Sequence, residues 1–595
     1  MDKIKQNLSN LIKELLPEVN NIEVEITVPQ NSEFGDLTTN IAMKLSKELK
    51  QNPLNIAKEI AAKLRDKSAE MGINKIEIVK PGFINFYINN SIYSSIIDEV
   101  ISKGENYGIN DDWAKKTILI EHTSPNPNKE YHLGTFKNTV TGLSLSYLFE
   151  AMGAKVIRDC INNNRGIAIA KLMWGYLKFA KKNESSPTDL AYWYDHQDEW
   201  KTPEDVNLPP SRFIDQLYVK GSDDFKSSEE IEQNVRQLVI DWEAEEPKNW
   251  ALWQLTQDWV WQGFKQALTR VGGWKFDKIW NESDIYKDGK AHVERGLQEG
   301  IFRKLDDGAV LSDLKSFKLP DTILIKNDGT SLYITQDLEL SNLKRKTFNP
   351  DEMYWVIGPE QSLAMKQMFA ISSQLGFGKY EDFHHMAYGF ILIKDKDGKP
   401  KKMSSRGEFK AYVNDILDDA KVEIIKYIKK EGLSEADVDN IAEKVAIGAM
   451  KYSLLKVGRT QDVVFDFGTT ISFEGDSGPY IMYTYSRAKS ILSQASNLSD
   501  IGNYTFATDE ELEICRIISK FGDSIKSAAT EYSPNLIASS IFQLAQAFNK
   551  FYTKYSVLNA DSEEIKNARL RLTAATAQVL KNGLNLLGIE TVERM

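Results

Sequence analysis

The sequence predicts an α/β protein: a Rossmann-type doubly wound parallel sheet with an insertion, flanked by an N-terminal α+β domain and a C-terminal all-α helical bundle. Three observations predict it. Between residues 117 and 160 a strand, a turn-rich loop, a helix and a second strand succeed one another, which is a βαβ unit and belongs to parallel sheets. The first 105 residues mix helical stripes with short alternating runs, and nearly everything after about 416 has helical periodicity. With 595 residues the chain has room for several domains of roughly 100–200 residues each.

Residues 1–105 open on an amphipathic helix, in which Ile4, Leu8, Leu11, Ile12, Leu15 and Leu16 form one apolar stripe. NIEVEITVP alternates and predicts a strand, two helices are expected around Asn52-Pro53, and IEIVK with INFYI predicts a strand pair broken at Pro81-Gly82. GENYGINDDW reads as the linker out of this domain. Then TILIEHT at 117–123 predicts a buried strand, FKNTVTGLSLSYLFEAMG a helix stopping at Gly153, and AKVIRDC the second strand. MYWVIG at 353–358 fits the same sheet, and the turn in TILIKNDGTSLYIT is hairpin-like. Residues of about 180–310 are helical, acidic and Trp-rich and read as the insertion; their tryptophans suit core packing, with a base-stacking platform as the alternative. The expected domains are 1–105, 112–415 and 416–595.

Composition excludes several classes. No run approaches the roughly 20 apolar residues of a membrane span, and the first residues lack the apolar core of a secretory signal, so a cytoplasmic protein without membrane contact is expected. Cys160 and Cys515 stand far apart, which leaves no disulfide framework or cysteine metal site, and no protein metal ligands are assigned. A net charge of −11 does not advertise nucleic-acid binding, although a local positive groove remains open.

The loop after the first strand is where a doubly wound sheet usually takes nucleotide. It has neither GxGxxG nor a P-loop, but holds Lys129, His132, Leu133, Gly134 and Thr135, with Asn138 one turn into the helix. These side chains and the helix N-terminus can donate to phosphate oxygens, while a His in that place also reads as a simple cap. A second cluster, Lys399, Lys401, Lys402, Met403, Ser404, Ser405 and Arg406, suits a clamp on polyphosphate or an ordinary solvated loop.

Taken together, SPNPNKEYHLGT and KMSSR resemble the paired HIGH-type and KMSKS-type signatures of class I aminoacyl-tRNA synthetases. FGDLTTNIAMKLSKELKQNP, INNNRGIAIAKLM, GTSLYITQDL, WVIGPEQ, SFEGDSGPYIMYTYSRAKSIL and VLKNGLNLLGIETVERM narrow the resemblance to the arginyl-tRNA synthetases, in the family's order and over nearly the whole chain. The resemblance implies ATP-dependent activation of L-arginine, with Mg²⁺ accompanying ATP, and transfer of arginine to tRNA(Arg) by a monomer. It implies catalytic roles for Lys129, His132, Gly134, Thr135 and Lys402, with Met403, Ser404, Ser405 and Arg406 also at the ATP. It further implies Glu121, Tyr333 and Asp337 on the arginine guanidinium, Asn126 and Gln361 on its amino end, Phe34, Gly35, Asp36 and Asn40 on the tRNA elbow, and Asn549, Tyr552 and Met595 near the anticodon. For Asp36 a helix cap, and for Tyr552 core packing, are the competing readings.

The chain departs from the family pattern at Glu130, Thr135, Lys137, Asn164, Ala364 and Ser405. For Ser405, where a second Lys is common, the resemblance suggests that Lys129 supplies the missing cation. A catalytically silent relative that only binds tRNA would account for Thr135 and Asn164, and a different HIGH-superfamily nucleotidyl transferase is the other alternative.

Overall fold

The computed structural model describes all residues except 1, 17–21, 30–31, 69, 329–332, 395–398, 403–410 and 496–503. The N-terminal unit comprises α1 (Asp2–Leu15), β1 (Leu37–Thr39), α2 (Ile41–Leu49), α3 (Pro53–Ser68), β2 (Ile73–Val79) and β3 (Phe83–Ile88). Its antiparallel sheet, ordered β1-β3-β2, packs on the predicted stripe of α1, with Leu8, Ile12, Leu37, Ile41 and Phe86 in the core. The alternating run at 21–29 makes only a single bridge, Thr27 with Thr38. Its neighbour β1 is three residues long, and Thr39 Oγ1 donates to the Glu25 carbonyl at 2.8 Å where a ladder bond would otherwise continue.

Next, α4 (Asn90–Lys103) packs against the C-terminal bundle, and the expected linker packs with it: Tyr107 is buried and donates to the Ile518 carbonyl at 3.1 Å. The βαβ unit follows as β4 (Thr117–Glu121), α5 (Leu133–Ala151) and β5 (Lys155–Asn162), with α6 (Ile167–Phe179) after it. α5 starts three residues before the predicted run because His132 caps it, and Gly153, at φ +88°, ends it in the left-handed region as expected.

α7 (Leu190–Asp195), α8 (Pro210–Asp224), α9 (Glu229–Glu243) and α10 (Pro247–Arg270) form a helical layer. Trp242 and Trp253 are buried there, and Trp250 stacks on Trp242 at 5.6 Å, so packing accounts for this tryptophan cluster. β6 (Lys278–Asn281) pairs parallel with β5, so a strand of the main sheet lies inside the span read as insertion. α11 (Glu282–Ile285), α12 (Gly289–Gln298) and a small antiparallel sheet of β7 (Arg303–Lys304), β8 (Val310–Ser312) and β9 (Thr322–Ile325) follow.

The hairpin-like signal near 328 is overturned: Tyr333 opens a helix, α13 (Tyr333–Phe348). The reason is topological. The next strand, β10 (Glu352–Trp355), runs parallel to β4, and a parallel neighbour must be reached by a crossover. α14 (Ser362–Gln374) and β11 (Phe383–His385) complete the five-stranded parallel sheet, ordered β11-β10-β4-β5-β6.

β12 (Ile391–Lys394), β13 (Pro400–Lys402) and β14 (Val463–Phe465) make a third small sheet, ordered β13-β12-β14. α15 (Val413–Ile424) and α16 (Glu435–Leu455) intervene, so the stretch after 416 returns a strand to this sheet before its bundle begins. α17 (Phe467–Thr470), α18 (Gly478–Ser493), α19 (Asp509–Ser519), α20 (Phe521–Thr530), α21 (Asn535–Lys554) and α22 (Glu563–Leu586) then complete the chain. Among the described residues no helix is long and apolar enough to cross a membrane.

Candidate active site

β4 ends at Glu121, and the chain leaves the sheet through Thr123 and Ser124, both at positive φ. Asn138 holds this exit. Its Oδ1 accepts from the Thr123 amide at 2.6 Å, and its Nδ2 donates to the Val356 carbonyl at 2.7 Å, tying β4 to the end of β10. His132 sits at the N-cap of α5, where its Nδ1 accepts from the amides of Gly134 at 3.1 Å and Thr135 at 3.3 Å. In a neutral ring that acceptor role leaves the proton on Nε2, which makes Nε2 a donor suited to phosphate. The two amides expected to face phosphate are therefore engaged by His132 itself. Gly134 keeps this turn uncrowded: a Cβ would stand 3.0 Å from the His132 ring, which would have to shift.

One cavity of about 500 Å³ brings together Glu121, Asn126, Lys129, His132, Gly134, Thr135, Asp337 and Gln361. The side chain of Tyr333 lies outside the described set; its backbone opens the helix that carries Asp337. Lys402 ends β13, opposite Leu392, whose neighbour Ile391 lines the cavity, and the Lys402 side chain is outside the described set. Met403, Ser404, Ser405 and Arg406 lie outside the described residues.

Glu121, which lines the cavity, is held by a residue that the sequence reading missed and that does not itself line it. Lys344, fully buried, places Nζ 2.5 Å from Glu121 Oε2 and 2.9 Å from Asp159 Oδ2. Ser124 Oγ donates to the other Glu121 oxygen at 2.9 Å, and Trp280 Nε1 donates to Asp159 Oδ2 at 2.8 Å. Burial opposes the Lys344 charge, but Asp159 and Glu121 override it and hold the ammonium above its ordinary range. The one available signal was spacing, since Lys344 falls two helical turns after Asp337 on the same face of α13.

Asp337 is open to the cavity but walled in. That enclosure, followed by the charges of Glu121 and Glu282, pushes its carboxyl up to about 7. Burial likewise raises Glu282 to about 7 against the pull of Arg165. A site of crowded, partly protonated acids favours a cation that can answer several oxygens at once.

Two of the departures from the family pattern, Lys137 and Asn164, acquire local explanations. Lys137 is buried and donates to the carbonyls of Gly389 at 2.7 Å and Gln461 at 3.2 Å, tying α5 to the sheet of β12 and β14. Asn164 donates to Ser283 Oγ at 3.0 Å and accepts from the Ser283 amide at 2.9 Å, which joins its loop to α11.

The residues expected at tRNA divide. Phe34 is exposed, while Gly35 at φ +91° leaves only 2.8 Å between a Cβ and the Phe86 carbonyl. Asp36 neither caps a helix nor faces outward. Its buried carboxylate accepts from Tyr93 Oη at 2.5 Å, Arg516 Nε at 3.0 Å and the Ile88 amide at 2.8 Å, fastening the N-terminal unit to the bundle. Asn40 precedes α2 without a side-chain capping bond. Met595 is buried in the bundle core because the terminal segment folds back, with Val592 accepting from Ser486 Oγ at 2.6 Å. Asn549 bridges α21 to α18 through Arg487 and Thr484. Tyr552 is exposed, with its ring nearly parallel to Phe548 at 6.4 Å and the Arg487 guanidinium over it at 5.1 Å.

Comparison with known proteins agrees with this layout. Residues 96–467 match the family model described as tRNA synthetases class I (R), catalytic domain. Residues 2–88 match the arginyl tRNA synthetase N-terminal domain and residues 481–595 the DALR anticodon binding domain. The arginine–tRNA ligase of Treponema denticola is 32% identical, covering 98% of this chain and 96% of that protein. That of Borrelia hermsii is also 32% identical, over 100% of both. The solved arginyl-tRNA synthetase of Thermus thermophilus superposes with a TM-score of 0.78 at 21% identity, covering 99% of this chain and 100% of that one. The Plasmodium falciparum enzyme gives a TM-score of 0.76 at 20% identity, over 100% and 99%. With family models spanning all three regions and full-length relatives at this identity, the chain belongs to the arginyl-tRNA synthetases, the arginine–tRNA ligases of class I.

Proposed function

We propose that the chain activates L-arginine with ATP and transfers it to the terminal adenosine of tRNA(Arg) in the site described above. An arginine carboxylate oxygen attacks the α-phosphorus, the bond to the bridging oxygen of the β-phosphate breaks, and pyrophosphate leaves. A ribose hydroxyl then attacks the arginyl carbonyl, and AMP departs. Neither step needs a covalent intermediate with the protein, so positioning and charge stabilisation carry the rate.

In this reading Lys129 and the His132 Nε2 proton face the phosphates, and the Gly134 and Thr135 amides exchange His132 for oxygen when nucleotide enters. Lys402 meets pyrophosphate. Mg²⁺ would travel with the triphosphate, whose oxygens suit a hard cation. Glu121, Tyr333 and Asp337 grip the guanidinium, and Asn126 and Gln361 hold the amino end. Lysine would leave buried acceptors unpaired, at about 1–3 kcal/mol per group, which makes a separate editing site unnecessary. Action as a monomer and, through translation, a cytoplasmic location belong to this reading.

The observation that carries the reading is the single cavity shared by Lys129 and His132 at one end and Glu121 and Asp337 at the other. Arginine-dependent ATP–pyrophosphate exchange, run with and without tRNA, tests it. Exchange with arginine but not lysine is expected, while tRNA binding without exchange would indicate a silent relative.

A further inference from the structure

Beside the phosphate end of the cavity lies a group of charges that the reaction above does not use. Glu130, adjacent to Lys129, has only 2% of its side chain exposed. A buried carboxylate next to a triphosphate opposes the ligand unless a cation answers it. Arg212, carried by α8, supplies that cation: its Nε contacts Glu130 Oε2, and its Nη2 lies 3.2 Å from Oε1. The same Nη2 reaches both oxygens of Asp415 at 2.9 and 3.0 Å, and the guanidinium lies 3.8 Å over the Tyr412 ring. One turn further along α8, Asp215 accepts from the Tyr412 hydroxyl at 2.6 Å.

The backbone repeats the connection. The Leu133 amide donates to the Ala411 carbonyl at 3.1 Å, and the Val413 amide to the Tyr131 carbonyl at 3.2 Å. Residues 411–415 follow the second signature after an interval of four residues, and 130–133 belong to the first. Exposed ion pairs usually contribute little, but this arginine joins three elements around a buried acid.

We propose that Arg212 is a positioning residue that fixes the spacing between the first signature segment and residues 411–415 across the nucleotide site. The proposal rests on the function argued above. Arg212 does not line the cavity; it acts through Glu130, Tyr412 and Asp415. Misplacement of reacting groups by about 1 Å costs on the order of 100-fold in rate, so loss of this tie should appear in turnover rather than in arginine binding.

The test is arginine-dependent pyrophosphate exchange with tRNA present. Arg212→Gln should lower kcat on the order of 10–100-fold and leave the arginine KM within about twofold. Arg212→Lys should fall between, since it keeps the charge but loses the fork. The Glu130→Gln/Arg212→Gln double variant should be no worse than the worse single, because both break one tie. An unchanged kcat with a lowered melting temperature, or a raised arginine KM at unchanged kcat, overturns the proposal. Should Arg212→Gln fail to fold, Tyr412→Phe removes the hydroxyl that bonds Asp215 but keeps the ring under Arg212, and should show the same pattern at smaller amplitude; wild-type kcat there overturns it. A wild-type protein without exchange overturns the functional reading, and the proposal with it.

Discussion

Lys344 Nζ stands 2.5 Å from Glu121 Oε2 and also holds Asp159, so the end of β4 that meets the cavity is built around an internal cation. Removing it leaves two buried carboxylates facing each other. Lys344→Met should cost about 3–5 kcal/mol of stability in urea denaturation, the usual consequence of orphaning a buried charge. Adding Asp159→Asn should recover part of that loss. A single variant as stable as wild type would refute the role.

If Asp337 holds the guanidinium as proposed, its raised carboxyl should make arginine binding pH-dependent. Its value near 7 lies above the ordinary 3.8, so the ligand-free protein holds this proton until pH approaches 7. A guanidinium selects the ionised form, and arginine affinity should therefore weaken as pH falls through 7, at a limiting slope of about tenfold per pH unit. Without ligand the sign reverses: ionising Asp337 costs folding stability as pH rises from 3.8 to about 7. Calorimetric titration of arginine between pH 5.5 and 8.5 measures the first effect, and Asp337→Asn should flatten it.

Much of the site was readable because its parts are local in sequence. His132, Gly134 and Asn138 occupy one loop and the first turn of one helix, where a βαβ pattern says a ligand belongs. Lys344 was not readable, because its meaning depends on Glu121, 223 residues earlier, and on Asp159. It stands in a Lys-Arg-Lys run that looks like a solvated end of a helix. The strand expected at 21–29 failed for a related reason: alternation describes a face, but pairing needs a neighbour of sufficient length. Net charge pointed away from nucleic acid and was outweighed by the signatures, since a total says little about one groove.

Lys129 half emerges into the cavity, in the loop just before His132. If it supplies the cation absent at Ser405, Lys129→Ala should depress adenylate formation on the order of 100–1,000-fold, as loss of a transition-state donor does. Circular dichroism and melting temperature should stay near wild type, because the side chain is not in the core. Wild-type pyrophosphate exchange in the variant would refute the assignment.

Asn549 and Tyr552, one turn apart on α21, should separate experimentally. Asn549 accepts from Arg487 and donates to Thr484 at 2.8 Å, so Asn549→Ala should loosen α21 from α18 and lower stability by about 1–3 kcal/mol. Tyr552 instead presents an exposed ring, 41% accessible, with the Arg487 guanidinium 5.1 Å from its centre. A ring held this way can take a base on its open face, and such stacking contributes about 1–3 kcal/mol. Tyr552→Ala should therefore raise the KM for tRNA by roughly 5–150-fold and leave the arginine KM and the melting temperature unchanged. Tyr552→Phe keeps the face and should behave as wild type. An unaltered tRNA KM in Tyr552→Ala would return the residue to the bundle's packing and leave the anticodon contact to other positions.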